Sequence, residues 1–359
     1  MPSEFGKNVR VSIFGQSHGD SIGAVVDGLP SGFTVDTDKL TRFMDRRRGG
    51  RNIMSTSRAE SDRPEFISGI RDGKTCGSPV CIVIKNSDRR SSDYESIADT
   101  PRPGHADYTA YIKWNGSADM RGGGHFSGRL TAPICAAGGI ALQILEKKNI
   151  YIGAHLASAA GCSDDLFPLV PTKELFDKIS AKELPVINDA CQAEMKAHIL
   201  EAASEGDSVG GIIECAAIGL PAGKGDALFG GLEGRLSYAM FAIPGVKGVE
   251  FGSGFAGTAL RGSQNNDPFT TDENRNISTV TNNCGGILGG ISDGMPITLR
   301  VAVKPTPSIA LEQETVSLTE RKNTVINIKG RHDPCIAHRA VPVVEALCAL
   351  TLLDILQEN

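Results

Sequence analysis

A glycine run flanked by basic and hydroxyl side chains is the stretch of this sequence best suited to bind an anion. Residues 121–129 read RGGGHFSGR and lead directly into an apolar segment, residues 130–148. Glycines let a backbone approach a ligand closely, and a helix that begins after them offers unpaired N–H groups. The run carries four further donors: Arg121, His125, Ser127 and Arg129. An isolated glycine run is usually a flexible turn, but these donors favour a phosphate site.

Two histidines stand in turns that would expose them to a cleft. His18 lies in residues 15–20 (GQSHGD), and His105 lies in residues 101–107 (PRPGHAD), where two prolines and a glycine restrict the backbone around Arg102. Histidine is the side chain best suited to move protons near neutral pH. For each segment a catalytic role and an ordinary polar turn both remain open.

Two further clusters are candidates for binding anions. Arg46, Arg47 and Arg48 end a predicted helix, and Arg51 and Arg58 follow closely. Cations suit the last turn of a helix, so this is either a solvated basic face or a site for a polyanionic ligand.

Near the C-terminus, residues 331–333 (RHD) precede another predicted helix. Arg331, His332 and Asp333 form either a local ion pair or part of a binding site.

The elements that position these residues follow from hydrophobic periodicity and from turn signals. We expect strands at residues 8–14, 22–30, 78–86, 149–158, 210–218, 246–251 and 297–303. We expect helices at residues 36–48, 130–148, 189–204 and 228–243 and from about 341–342 onwards, with an irregular surface segment at 163–185. Residues 22–32 faintly echo residues 209–223, which suggests an internal duplication of a sheet-plus-helix unit.

Composition narrows the class of protein. With 359 residues, 22% charged residues and a net charge of −5, the chain lacks the basic excess of nucleic-acid or membrane-surface proteins. Its nine cysteines are scattered and contain no C-x-x-C pair, which favours small buried apolar residues over disulfides or a zinc site. We see no secretion signal and no apolar run of membrane-spanning length. We therefore expect a cytoplasmic protein without a metal, a membrane or a nucleic acid as partner.

Seven motifs in one order resemble those of the chorismate synthase family, and together they extend over nearly the whole chain. They are residues 15–20 (GQSHGD), 46–50 (RRRGG), 102–107 (RPGHAD), 121–129 (RGGGHFSGR), 285–290 (GGILGG), 304–308 (KPTPS) and 330–335 (GRHDPC). Two departures are visible: Gln16 replaces the usual Glu, and His125 and Phe126 replace the usual Arg-Ser. Histidine cannot copy the bidentate fork of arginine.

The resemblance implies an α+β fold, in which residues 1–359 form one large catalytic domain with helices sandwiched between antiparallel sheets. It implies a homotetramer. It also implies a carbon–oxygen lyase that converts 5-enolpyruvylshikimate 3-phosphate to chorismate, the last common step of aromatic amino-acid biosynthesis. The reaction would eliminate phosphate and a ring proton with reduced FMN and without net redox change.

The family pattern also implies roles for individual residues. His18 would be the acid at the phosphate, with Ser17 in support, and His105 would lie near the pyrimidine edge of the reduced flavin. Asp333, acting with Ser127, would assist proton removal through the flavin N5. The substrate anions would be held by Arg47, Arg48, Arg102, Arg129 and Arg331.

Flavin contacts carry over to His125, Phe126, Ser127, Pro244, Gly245, Gly289, Lys304, Pro305, Thr306, Pro307, Ser308 and Arg331. Some family members bind a pyridine nucleotide near the position of Arg47. Here there is no dinucleotide fingerprint, and Ile53 stands where a second arginine would be needed. We therefore expect NAD(P)H to act only indirectly, as the external source of electrons for FMN.

Two other classes compete with this interpretation. A flavin-dependent oxidoreductase would share the flavin contacts but would consume NAD(P)H stoichiometrically. A phosphate- or RNA-binding module would use the arginine loops without chemistry, yet 5% aromatic residues leave little surface for stacking bases. Neither alternative explains the histidines.

Overall fold

Two five-stranded antiparallel sheets with helices between them form the framework of the chain. The structure is a computed structural model that describes residues 3–50, 54–55, 58, 60–88, 99–328 and 332–358. The strands are β1 (Glu4–Phe5), β2 (Arg10–Gly15), β3 (Ser21–Asp27), β4 (Glu65–Ser68), β5 (Ile70–Arg71), β6 (Lys74–Thr75), β7 (Val80–Lys85), β8 (Tyr151–Ala159), β9 (Cys162–Ser163), β10 (Gly211–Ile218), β11 (Val246–Phe251), β12 (Phe269–Thr271), β13 (Ile277–Thr279), β14 (Ile287–Leu288), β15 (Ile291–Ser292), β16 (Ile297–Val303), β17 (Gln313–Val316) and β18 (Asn323–Ile326). The α-helices are α1 (Thr37–Arg47), α2 (Asp107–Lys113), α3 (Thr131–Glu146), α4 (Lys173–Ser180), α5 (Asp189–Ser204), α6 (Leu232–Met240), α7 (Gly262–Asn265) and α8 (Ala337–Leu356).

The layers confirm the predicted fold class. One sheet has the strand order β1-β2-β3-β7-β4 and the other has the order β11-β16-β10-β8-β9. Helix α3 packs on the first sheet, α8 packs on the second, and the two helices pack against each other between the sheets. Each helix must bury its apolar stripe and each sheet must bury one apolar face, and this stacking buries them against each other. The result is an α+β sandwich of helices between antiparallel sheets.

The two sheets share one topology, which agrees with the predicted internal duplication. In the first sheet the chain order is β2, β3, β4, β7, and the spatial order is β2-β3-β7-β4. In the second sheet the strands β8, β10, β11 and β16 are arranged in the same way, as β8-β10-β16-β11. In each half a helix, α1 or α6, follows the second strand, and a long core helix, α3 or α8, follows the fourth. The two echoing segments supply β3 and β10, the middle strand of each sheet.

Small residues let the two core helices approach closely. A Cβ atom placed on Gly138 of α3 would lie 2.3 Å from the Cβ atom of Ala346 in α8. Residues Gly128–Glu146 are long and apolar enough to cross a membrane, contrary to our expectation that no run reaches that length. However, 89% of this apolar window is buried inside the protein, as is typical of a core helix.

Three predicted elements differ from the observed ones, and several short elements, including α2, β4–β6, β12–β15, β17 and β18, lie where no element was predicted. The segment 163–185 contains α4, because Thr172 caps it and Phe176 packs on the bare backbone of Gly153 in β8. Helix 228–243 is shortened to α6, because Leu228 has a φ of +55° and Gly231 is extended.

The third difference is the start of α8, which begins at Ala337 and contains Pro342. An internal proline removes one intrahelical hydrogen bond and its ring clashes with the carbonyl four residues earlier, at a cost of about 3 kcal/mol. Burial of almost every side chain of α8 offsets that loss.

Candidate active site

The glycine loop at residues 121–126 passes between two histidines that are far apart in the sequence. Gly122, Gly123 and Gly124 have φ angles of +61°, +94° and +55°, which side-chain-bearing residues rarely adopt. A Cβ atom on Gly122 would lie 2.1 Å from the His18 ring, and one on Gly123 would lie 3.2 Å from Nε2 of His105. The loop therefore brings His18 and His105 to adjacent residues of one backbone segment, directly before helix α3.

His18 sits in the turn after β2, and that turn is bonded to the glycine loop. The Ser17 amide donates to the Gly124 carbonyl at 3.0 Å. Arg58 donates to Ser17 Oγ and to the Ser17 carbonyl, both at 3.1 Å. His18 is only 6% exposed. Burial, then the charges of Arg58 and Arg121, lower the pKa of His18 below its usual 6.5, so this histidine is neutral at pH 7 without a ligand.

His105 is oriented by a carboxylate that the motif analysis did not assign. Its Nδ1 lies 2.8 Å from Oδ1 of Asp107, and Asp107 also accepts two charged hydrogen bonds of 2.7 Å from Arg102. Burial opposes ionisation of Asp107, but Arg102 and His105 outweigh it and hold the pKa of the carboxyl well below its usual range. A proton on Nδ1 directed at Asp107 leaves Nε2 facing Gly123 and the site. The sequence feature that could have identified this pair is the two-residue spacing between His105 and Asp107.

Arg47 and Arg129 meet in a buried ion triad with Asp62. Arg47 Nη2 lies 2.5 Å from Asp62 Oδ2, and Arg129 Nη1 bonds the other carboxylate oxygen. Arg129 Nε also donates to Oδ1 of Asn86 at 2.8 Å. Although burial works against it, the two guanidinium groups lower the pKa of Asp62 to about 2. The predicted anion-binding arginines are thus fixed in place by Asp62, which no local sequence signal identified.

Arg48 bonds partners outside this triad. Arg48 is partly exposed and bonds Asp45 at 3.2 Å. It also lines a cleft of about 890 Å³, together with Arg339 and His338. Arg331 and Ile53 lie outside the described residues.

The segment at 304–308 packs against the loop that carries His105. The Lys304 amide donates to the Gly245 carbonyl at 2.9 Å, and its ammonium bonds the Gly104 carbonyl. Arg102 Nη1 lies 3.5 Å from Ser308 Oγ. Thr306 Oγ1 is buried and has no hydrogen-bond partner among the described residues. Most of the predicted flavin-binding residues therefore gather beside His105, with one buried hydroxyl still able to bond a ligand.

His125, Phe126 and Ser127 are engaged within the protein. His125 Nδ1 lies 2.8 Å from the Gly15 carbonyl, and its Nε2 lies 2.9 Å from Ser3 Oγ. The Phe126 ring packs on Trp114 at 5.6 Å, and Ser127 Oγ accepts from the Arg129 amide at 3.2 Å. Both ring nitrogens of His125 thus tie the glycine loop to the N-terminal strands. A polar contact from His125 to a flavin would require one of these bonds to break.

Pro244 and Gly245 belong to the group beside His105, whereas Gly289 does not. Pro244 and Gly245 form the turn before β11, and Lys304 bonds that turn. Gly289 lies in the β14–β15 turn, where a Cβ atom would meet nothing within 4 Å. Its neighbour Gly290 packs on Gly231 and Asp226. The described contacts of this turn therefore lead away from the histidines.

Asp333 is held by an arginine that the sequence did not single out. Arg339 Nη1 donates to Asp333 Oδ2 at 2.6 Å, and Arg339 Nε donates to the Arg47 carbonyl at 3.0 Å. Next to it, His332 Nε2 is buried without a hydrogen-bond partner in the described part of the chain. Burial and the charge of Arg102 lower the pKa of His332. Arg339 thereby bonds the start of α8 to the end of α1, and His332 lies within electrostatic range of Arg102 in the His105 loop.

Comparison with known proteins agrees with the motifs. Residues 9–357 match the family model described as chorismate synthase. A chorismate synthase of Dehalococcoides mccartyi is 47% identical over 355 residues, covering 99% of this chain and 96% of that protein. The chorismate synthase of Korarchaeum cryptofilum is 45% identical over 350 residues, covering 98% of this chain and 96% of that protein. The corresponding protein of Methanocaldococcus jannaschii is 43% identical over 369 residues, with coverage of 99% and 96%.

A solved structure described as the crystal structure of chorismate synthase superposes with a TM-score of 0.78 at 28% identity. The match covers 98% of this chain and 92% of that one. Sequence and fold therefore agree over nearly the same residues. The chain belongs to the chorismate synthase family.

Proposed function

We propose that this chain converts 5-enolpyruvylshikimate 3-phosphate to chorismate by a 1,4-anti elimination of phosphate. The reaction would need reduced FMN and would cause no net redox change. One observation carries the proposal: the His18 ring lies against Gly122 and the His105 ring lies against Gly123, two adjacent residues of the loop before α3. A phosphate held at this loop would have a proton donor on one side and an oriented imidazole on the other.

Substrate binding requires cations concentrated locally, because the chain as a whole is acidic. The substrate carries one phosphate and two carboxylates, whereas the chain has a net charge of −5. The triad of Arg47, Arg129 and Asp62 retains one net positive charge and is held rigidly. Rigid donors lose little entropy when they bind an anion. We assign substrate binding to this triad together with Arg48, Arg102 and Arg331.

His18 would protonate the departing phosphate. In the free enzyme its pKa is lowered by burial and by Arg58 and Arg121. A phosphate dianion beside the ring would offset those two cations and favour the imidazolium. His18 would take up a proton from water when the substrate binds and would donate it to the leaving oxygen as the C–O bond breaks, while Ser17 holds the turn in position.

The residues predicted to bind FMN are chemically suited to a flavin. Buried Thr306 Oγ1 is without a partner in the described part of the chain, Lys304 supplies a cation, and Gly245 leaves the backbone open at a φ of +93°. We assign FMN binding to Lys304, Pro305, Thr306, Pro307 and Ser308 with Pro244, Gly245, Phe126 and Ser127, and His105 Nε2 would face it. Bound reduced FMN would supply electron density that assists loss of phosphate.

Removal of the ring proton falls to Asp333. Its carboxylate would accept the proton at an oxygen oriented by Arg339. Ser127 would assist from the start of α3, where its hydroxyl already organises the Arg129 amide.

An anaerobic assay tests the proposal directly. The purified chain would be mixed with chemically reduced FMN and 5-enolpyruvylshikimate 3-phosphate, and chorismate and phosphate would be followed together. We expect equal amounts of both products with reduced FMN and none with oxidised FMN. In a parallel reaction with NAD(P)H as the reductant, consumption of NAD(P)H in proportion to turnover would instead indicate an oxidoreductase. If the chain binds flavin but forms no chorismate, 5-enolpyruvylshikimate 3-phosphate is not its substrate.

We also propose that the chain is a homotetramer in a reducing cytoplasm. Large apolar side chains are exposed around α6 and β12–β13: Leu228, Phe229, Tyr238, Phe241, Phe255, Phe269 and Ile277. Phe229 is fully exposed, which is costly in a monomer. All nine cysteines are free. Light scattering after gel filtration should give four chains per particle, and a monomer would refute the assembly.

A further inference from the structure

Three side chains with metal-binding atoms converge where β9, an edge strand of the second sheet, meets helix α5. They are Cys162 of β9 and Glu194 and His198 of α5. Their ligand atoms all lie within 4.8 Å of one another. The linear sequence predicts no metal site, because it contains no C-x-x-C pair. Here the fold supplies the ligands from two elements.

Local geometry holds the thiol and the imidazole in position. The β8–β9 hairpin turns through Ala160 and Gly161, whose φ angles are +51° and +84°. Positive φ at both central residues is typical of a tight two-residue hairpin turn. Cys162 then pairs with Ala159 in the ladder. The backbone, and not a mobile loop, therefore directs the thiol at His198.

The distance between sulfur and nitrogen suits a shared metal ion. Cys162 Sγ lies 3.8 Å from His198 Nδ1. With Zn–S near 2.3 Å and Zn–N near 2.0–2.1 Å, two ligands at tetrahedral to trigonal angles lie about 3.6–3.8 Å apart. The bond from His198 Nδ1 to the Ala160 carbonyl is long, at 3.4 Å, so little is lost when Nδ1 turns to a metal. Without a metal, the same pair is only a weak sulfur hydrogen bond.

Spacing on helix α5 brings further donor atoms to the same face. Glu194 and His198 are four residues apart and therefore lie one above the other. Cys191 lies one turn before Glu194 and is half-buried. Its side chain is near enough to influence the pKa of Cys162, which burial raises first of all. Cys191 is not among the side chains whose ligand atoms lie within 4.8 Å of one another, so the fourth position falls to water.

We propose that Cys162, Glu194 and His198 form a Zn²⁺ site that fastens the β8–β9 hairpin to helix α5. Thiolate and imidazole select zinc-like ions over Mg²⁺ and Ca²⁺, which take oxygen ligands. The site joins residues that are 36 positions apart in the chain, from Cys162 to His198. Zinc would displace the thiol proton and bind a carboxylate oxygen, Sγ and Nδ1.

Zinc binding by the intact chain tests the proposal. Chelator-treated protein would be titrated with Zn²⁺ against a chromophoric competitor, with Mg²⁺ as the negative control. We expect one Zn²⁺ per chain, and at least about tenfold weaker binding in His198→Gln, because even second-shell changes weaken metal sites by 10–100-fold. Cys162→Ser should show the same loss. Cys76→Ser, which alters an exposed cysteine, should bind like the wild type.

Cobalt gives a direct readout that does not depend on the folding of a variant. Co²⁺ bound to wild-type protein should show thiolate-to-metal charge-transfer absorption and the intense visible bands of a tetrahedral ion. Zinc should also raise the thermal midpoint of the wild type and not that of His198→Gln. No stoichiometric zinc, a cobalt spectrum without sulfur ligation, or unchanged binding in both ligand variants would each overturn the proposal.

Discussion

Gly122 lies against the ring of His18 so closely that a Cβ atom would come within 2.1 Å of its Nδ1 and Cε1 atoms. Glycine is therefore required here both for its φ of +61° and for the space that the ring occupies. The proposed acid and the anion-binding loop form one packed unit.

Gly122→Ala should displace His18 and lower turnover at least about tenfold in the anaerobic assay. The added methyl group collides with the ring, and misplacement of a reacting group by about 1 Å can cost 100-fold in rate. Gly73→Ala is the matched control, since Gly73 has a φ of +74° but nothing within 4 Å of its Cβ position. Gly73→Ala should be destabilised by backbone strain and keep its turnover. Equal losses of turnover in both variants would mean that backbone strain lowers turnover, and not the collision with the His18 ring.

Arg58→Gln should move the basic limb of the kcat/KM profile to higher pH. Burial lowers the pKa of His18 most, and Arg58 is the largest charge effect. Removing that cation raises the pKa, so the protonated acid persists to higher pH. Arg71→Gln, at an exposed position, serves as the control and should leave the limb in place. A limb that stays still or moves to lower pH in Arg58→Gln would remove His18 as the acid.

His18→Ala and His105→Ala should each lower turnover at least about tenfold with unchanged unfolding midpoints.

Asp333→Asn should slow the chemical step more than it weakens substrate binding. The amide keeps the shape of the carboxyl group but cannot accept the ring proton. Arg339→Met separates positioning from proton transfer, because it removes the bond to Asp333 and leaves the carboxylate. Single-turnover rates and substrate affinity would be measured for both variants. A pure affinity loss in Asp333→Asn would make Asp333 a structural partner of Arg339.

Asp62→Asn should destabilise the fold by about 3–5 kcal/mol at pH 7, because buried Arg47 loses its counter-charge and Arg129 keeps only the more distant Glu60, at 3.9 Å. The pKa of Asp62 is lowered from 3.8 to about 2. Its stabilising effect is therefore fully present above about pH 4 and is lost as the pH falls toward 2. Urea unfolding should show a smaller acid-induced loss in the variant than in the wild type. Asp72→Asn, at an exposed residue, should behave as the wild type does.

His338→Leu should be tolerated at pH 7 and should make the protein less sensitive to acid. Both ring nitrogens are buried without a hydrogen-bond partner among the described residues. Burial lowers the pKa of His338 from 6.5 to about 4. The unfolded chain then binds the extra proton first, so stability is full above pH 6.5 and is lost as the pH falls toward 4. Urea midpoints at pH 7 and pH 5 would measure this. A large loss at pH 7 would show that the ring makes a bond that the variant cannot replace.

Much of the local structure follows from the sequence alone. The predicted bounds of α5, β11 and β16 are confirmed. These features depend on residues within one or two turns of each other, and periodicity describes that range well. The order of the motifs also sufficed to name the family. The start of α8 was wrong because proline inside a helix is normally a boundary, and only burial of the whole helix overrides it.

Long-range partners were decided by the tertiary structure. Asp62 joins Arg47 and Arg129, which come from α1 and from the turn before α3. His125 looked in the sequence like a ligand contact, yet its ring nitrogens bond Gly15 and Ser3. The packing of the first sheet with the glycine loop and α1 creates these contacts, since the partners are between 15 and 122 residues apart in the chain. Propensity and spacing determine which element a residue joins, whereas sheet register and layer packing determine which side chain it meets.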